Sequence, residues 1–353
     1  MRSQSGAEAR GIDTHQMLRK RKNSSALTMS QMAAELGLSR VAVSAVVNGR
    51  EHQVRLSENT IQRVREHLAQ RGYVPSRHAC HLRAAPTRVI GIMHVGKIFS
   101  HLIEAFHLLV DTLSEDKQGL EIIMTPRDLV ESAVREVLAR RVTDLVWIHN
   151  SHAGEEYRDG NIARYLKNTR TIIYNYPFGS PLGEKEMLDR GVALVGVNRM
   201  VHLRRLARLL KQLGHRVIVL PSAGRGSNNT PYYEVFESEG LAVVDLPPVF
   251  TVNGMIKVMK EQGVTAACFH GDSPACLALN SLRAAGVRVP EDLTVTGFDG
   301  MSRAYNPDLT TLVIPVEKMV AKIHEIISGS EFGQRHCFDM ELVKGQTHGP
   351  PAR

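Results

Sequence analysis

Only a few places in this chain of 353 residues have the residue types and spacing for chemistry. His149 and His152 are spaced like two metal ligands, but no third ligand stands near them, and 16 histidines produce such pairs by chance. Gly224-Arg225-Gly226 begins like a dinucleotide-binding turn; Asn229 stands where the third glycine belongs and no helix opens at once, so the fingerprint fails. No Walker loop, nucleophile elbow or glutamate-bearing zinc helix occurs. No catalytic residue, metal or cofactor is therefore expected. Two groups remain. Asp272 and Asp299 follow apolar runs, where the carboxyl ends of parallel strands present ligands with a crevice. Capping the helix that carries Ala275, Leu277 and Ala278, which Asp272 directly opens, is the favoured role for that residue, and Asp299 can serve a turn. The second group is Ser39-Arg40-Val41 at the start of a short helix. Arg40 can make two hydrogen bonds to a guanine, Val41 can touch a thymine methyl, and Ala45 offers a small apolar surface.

The elements around Arg40 suit that task. Thr28 to Gln31 form a capping box, and Met32, Ala33 and Leu36 share one face of the helix it opens. Gly37 ends that helix and Leu38 packs back. Ser39 caps a second helix with Val43, Val46 and Val47 inward; Ser57 caps a third with Ile61, Val64 and Leu68 inward and Gly72 beyond its end. Two short helices joined through Gly37 make a helix-turn-helix pattern. Charge agrees: residues 1–88 hold 15 Lys/Arg against 6 Asp/Glu, whereas the rest hold 29 against 30. All of the net +8 thus sits in the first quarter, the footprint of a nucleic-acid-binding module on a neutral body. A solvated basic tail accounts for Arg19 to Lys22 alone.

The run from Met32 through Leu36-Gly37-Leu38-Ser39, Val43-Ser44 and Val46-Val47-Asn48, followed by Gly72-Tyr73 and Pro75, closely resembles the lactose-repressor (LacI/GalR) family of bacterial transcription regulators. Leu213-Gly214-His215, the stretch Leu293 to Asp299, and Leu309-Thr310-Thr311-Leu312, where the family's chain recrosses between lobes, extend the resemblance to about residue 347. It implies a repressor that binds a pseudo-palindromic double-stranded DNA operator as a homodimer and answers to a small molecule, sugar-like or unknown, between two lobes. By the same resemblance Thr28, Ser39, Ser44, Asn48, Ser57 and Thr60 match DNA-backbone contacts. Residues 76–84 look like a hinge helix that puts Leu82, beside Ala79, into the minor groove. Family members often carry Arg at the position of Ala45, and the loop from Gly49 to Leu56 is longer than usual, with Arg50 and Arg55 added. The family's effector arginine has no counterpart in Asn228-Asn229-Thr230-Pro231-Tyr232. Asn228, Asn198 (for a usual aspartate), Asp272 and Asp299 are the expected effector contacts.

The body supports the same division independently. Val89–Met93, Leu120–Met124, Leu145–Ile148, Val217–Leu220, Ala266–Phe269 and Leu293–Phe298 read as buried strands alternating with amphipathic helices, hence parallel sheets with helices on both faces. About 255 residues exceed one comfortable core, so two lobes are expected. The chain then divides into a disordered basic tail (1–26), an all-α helix-turn-helix head (27–75), a hinge and linker (76–88), a two-lobed, periplasmic-binding-protein-like sensor and dimerisation domain (89–347) and a C-terminal tail (348–353). No apolar run reaches membrane length and no apolar stretch follows the basic start, so neither a membrane partner nor secretion is expected. Four widely spaced cysteines fit a reduced cytoplasm. A solute-binding sensor or scaffold with an atypical or ligandless pocket is the other reading; it has no use for the head.

Overall fold

The computed structural model describes residues 28–47, 50–71, 88–96, 98, 100–114, 119–125, 130–149, 169–178, 183–221, 230–244, 246, 251–301 and 306–352. The expected tail 1–26, Asn48, the hinge residues Ala79 and Leu82, His152, Gly224 to Gly226 and Asn228 lie outside them. The chain divides into two compact units, residues 1–87 and 88–353.

In the first unit, helix α1 (Met29–Leu36) opens on the capping box: the Gln31 N–H donates to Thr28 Oγ1 at 3.3 Å, and the Thr28 N–H to Gln31 Oε1 at 2.8 Å. Gly37 ends it at φ +66°, which a side chain disfavours, and the Leu38 N–H then reaches the Ala33 carbonyl at 2.9 Å. Ser39 Oγ accepts from the Ala42 N–H (3.1 Å) at the start of α2 (Arg40–Val47), and Ser57 Oγ from the Thr60 N–H (3.3 Å) at the start of α3 (Glu58–Gln70). A 3-10 turn, Glu51–Gln53, lies between them. Met32, Ala33, Val43, Val46, Ile61 and Val64 form the core, and Glu35 ties α1 to α3 through His67 (2.7 Å) and Arg71 (2.8 Å).

The second unit has two six-stranded sheets. The first contains, in spatial order, β11 (Arg335–Phe338), β5 (Ala193–Val197), β4 (Arg170–Pro177), β3 (Asp144–Ile148), β1 (Val89–Val95) and β2 (Gly119–Thr125), all parallel. The second runs β12 (Glu341–Val343), β10 (Thr310–Val313), β9 (Thr294–Asp299), β8 (Ala266–Cys268), β6 (Val217–Val219) and β7 (Ala242–Val244), parallel except for β12. Alternation along β1 shows how the layers form. Ile90 and Ile92 face α4 (Ser100–Ser114) and α11 (Val316–Ser328), while Val89 and Met93 face α5 (Val130–Ala139).

All six strands read from the sequence are present, their ends displaced by two residues at most. The chain passes from the first lobe to the second through α7 (Arg199–Leu213) and returns through α11. Leu309 to Leu312 is therefore not itself the crossing: Thr310–Val313 is a strand of the second sheet, and the crossing follows it. Residues 348–352 are not a free tail either. Thr347 is fully buried and bonds Val295 and Thr310, and the His215 Nε2–H donates to the Gly349 carbonyl at 2.9 Å. No described helix is long and apolar enough to cross a membrane.

Candidate DNA-reading helix and ligand cleft

The start of α2 presents Arg40 and Val41 outward, Val41 at 65% exposure. A valine this exposed at the end of an otherwise apolar-inward helix has no packing role. Ala45 is the exception among the expected base readers: it is 6% exposed. The turn Glu51–Gln53 packs against α2, the Arg50 N–H bonds the Ala45 carbonyl at 2.8 Å, and Glu51 is itself buried with Arg65 on its Oε1 at 2.8 Å. The extra loop residues thus cover the position, and Ala45 packs the head instead of facing outward. Thr28, Ser39, Ser57 and Thr60 spend hydroxyl lone pairs or protons on capping. A capping hydroxyl such as that of Ser39 keeps its proton for an outside acceptor. Ser44 is half-buried.

The cleft lies at the carboxyl ends of the strands. Asp272 does not cap its helix α10 (Asp272–Ala284): Gly271 holds the cap position and Asp272 is the first helical residue. Its carboxylate turns into the lobe and accepts from Thr311 Oγ1 at 2.5 Å, and a Cβ on Gly297 would stand 2.2 Å from Asp272 Oδ1. Asp272 is completely buried, which takes it from the expected effector contacts into the packing of β9 and β10. Asn198 caps α7, its Oδ1 accepting from the Val201 N–H at 3.3 Å. Asp299 ends β9, next to the cavity-lining Phe298, and is itself buried. It sits at φ +101°, accepts from the Met301 N–H at 3.0 Å, and is pushed up to about 7 by burial first and by Asp272 second.

Two residues at the cleft escape the sequence reading. Arg199, the first residue of α7, is 6% exposed; its Nη2 donates to Asn175 Oδ1 at 2.9 Å and its guanidinium lies 5.4 Å from the centre of the Phe298 ring. Asn175 sits in a bulge between Tyr174 and Tyr176 at φ +64°, and its Nδ2 donates to the His149 carbonyl at 2.9 Å. The available signal was Arg199 itself, a cation two residues past the apolar strand Ala193–Val197 where the chain changes sheets. Arg199 lines a cavity with Leu203 and Leu206 of α7, Phe236 of α8 (Thr230–Ser238), Phe298 and His270. Tyr232 packs edge-on against His270, centroids 4.7 Å apart, and burial pushes the Cys268 thiol up to about 12, so it is no nucleophile.

Comparison with known proteins fits this architecture. A periplasmic binding protein-like domain matches residues 204–329. An HTH-type transcriptional regulator of Mycolicibacterium smegmatis is 24% identical, with 92% of this chain and 97% of that one covered. The crystal structure of the lac repressor dimer bound to operator and an anti-inducer superposes with a TM-score of 0.66 at 20% identity, over 91% of this chain and 98% of that one. The chain shares the fold of LacI-family regulators and is similar in sequence to HTH-type transcriptional regulators over most of its length. A further LacI-family regulator, from Silicibacter pomeroyi, superposes with a TM-score of 0.68 at 18% identity, over 91% of this chain and 99% of that one. The family-like Leu213-Gly214-His215 turn acts here as a pin. Gly214 ends α7 at φ +101°, and His215, its pKa lowered by burial, holds the C-terminal segment.

Proposed function

We propose that this chain is a LacI-family, sequence-specific transcriptional regulator, a repressor, that binds a pseudo-palindromic operator as a homodimer and is modulated by a small molecule in the cleft of its body. The outward face of α2 carries this reading. Arg40 and Val41 stand exposed on a helix whose every other apolar residue is committed to the head or half-buried, and the surplus of basic charge falls in the same first quarter of the sequence. The likeness to an operator-bound lac repressor dimer supports the dimer and the DNA. Exposed apolar residues on both lobes supply surface for the partner: Ile103 on α4, Ile122 and Met124 on the edge strand β2, and Leu277 on α10 at 70% exposure. Arg40 and Val41 read bases, the hydroxyls of Thr28, Ser39, Ser44, Ser57 and Thr60 set register on phosphates, and Leu82 with Ala79 enters the minor groove. A chain lacking residues 1–87 tests this. It should still sediment as a dimer yet shift no DNA; DNA binding by the body alone would contradict it.

A further inference from the structure

The cavity beside Arg199 has a composition unlike a sugar site. Its walls are mostly apolar, with Leu203, Leu206, Phe236 and Phe298 among them; Arg199 supplies the charged group among the described lining residues, and Tyr232, Cys268 and His270 the other polar side chains. A polyol needs a donor or acceptor for each hydroxyl, and an unmatched one costs affinity steeply. Of the two aspartates expected to contact an effector, Asp272 is completely buried and engaged by Thr311, and Asp299 is buried as well. We propose that this cleft binds a small organic acid with an apolar or aromatic body, its carboxylate held by Arg199. The inference rests on the reading of the cleft as an effector pocket.

Arg199 is built for that contact. It is almost entirely buried, yet among the described residues its guanidinium makes one hydrogen bond, to Asn175, leaving further N–H donors on a cavity-lining group. A guanidinium matches a carboxylate with two parallel bonds, and the match is strongest away from water. The contact with Phe298 and the bond to Asn175 hold its plane. Asn175 in turn occupies a left-handed backbone position in a bulge, a conformation that an ordinary strand residue avoids and that is concentrated at functional sites. Asp299, the nearby acid, is buried, and its carboxyl is pushed up to about 7 by burial first and Asp272 second, which favours its neutral form. The free space in this cavity holds roughly one water. Entry of even a benzoate-sized acid therefore requires the lobes or side chains to part, which links occupancy to lobe arrangement.

The test uses the full-length chain and calorimetric titration with benzoate, phenylacetate and hexanoate, with benzamide as the neutral analogue and glucose as the polyol. At least one acid should bind, and its amide should bind about tenfold or more weakly, the loss expected for one charge-assisted hydrogen bond. Arg199→Gln should abolish the preference for acid over amide, and Arg199→Lys should keep part of it. Thermal melts of both variants identify any that fail to fold, and Asn175→Ser, which leaves the cation in place, should weaken acid binding in the same direction. Binding of glucose in preference to every acid, absence of binding by all three acids, or an acid preference that survives Arg199→Gln would each overturn the proposal. Operator affinity of the same preparations without ligand separates the two readings: its loss would count against the regulator, not against the acid site.

Discussion

The guanidinium of Arg88 forks onto the buried carboxylate of Asp144, Nε to Oδ2 at 2.8 Å and Nη2 to Oδ1 at 3.0 Å. Arg170 shares the same carboxylate, Thr143 Oγ1 donates to it at 2.8 Å, and Arg88 also reaches the Ile327 carbonyl near the end of α11. One aspartate therefore joins the starts of β1, β3 and β4 to the helix by which the chain returns from the second lobe, at the first residue of the body. Burial by itself would raise the Asp144 pKa, but the bonds from Arg88 and Thr143 and the charge of Arg170 bring it below the usual carboxylate range.

Asp144→Asn should accordingly destabilise the body by about 2–3 kcal/mol, less than the loss of a wholly buried pair because both arginines keep partial access to water. The folded pKa is depressed, so this stability is present above the unfolded carboxylate value and disappears as pH falls through the folded one. Urea titrations of both proteins from neutral to acid pH should show the gap closing on the acid side. A gap that is constant or widens with acid contradicts the assignment.

Asp299 has the opposite sign. Its folded value is raised from 3.8 to about 7, so its contribution is favourable below the ordinary value and lost as pH rises through about 7. Asp299→Asn should leave the melting temperature nearly unchanged in the acid range and raise it above neutral pH. Melting curves that differ equally at all pH values would place the proton elsewhere.

Gly297→Ala directs a methyl at Asp272 Oδ1 (2.2 Å) and Leu309 Cδ2 (2.8 Å), both inside the second lobe. Overpacking of this kind costs roughly 1–3 kcal/mol, and the Thr311–Asp272 bond would be displaced with it. Denaturant midpoints measure the loss; an unaffected midpoint would mean that Asp272 moves aside freely and is not locked into the sheet.

Much of this molecule was legible because its signals are local. Thr28, Ser39 and Ser57 cap helices that begin one residue later, Gly37 turns where the apolar periodicity stops, and the strands of the body announce themselves as short apolar runs. Misreadings came where a residue's role depends on distant chain. Ala45 lies on α2 in a position that points outward in a bare helix, and only the turn Glu51–Gln53 folding onto it buries it. Asp272 has the residue type of a cap, but the extended Gly271 takes that place and turns the aspartate toward Thr311, 39 residues on. Arg199 reads as an ordinary surface cation until Asn175, 24 residues earlier and in a bulge no periodicity marks, is seen to hold it.

Arg40→Ala should remove one bidentate base contact and cost about 1–3 kcal/mol on the preferred operator, with relaxed preference at one base pair in each half-site. Equal weakening on every sequence would make Arg40 a phosphate contact instead.

The most direct test of a dimeric, sequence-reading regulator is selection of bound sequences from random double-stranded DNA by the full-length chain. An inverted repeat with two matching half-sites should be enriched, and Arg40→Ala should degrade the same position in both halves. Recovery of no motif, or of a single unrepeated site, would contradict it.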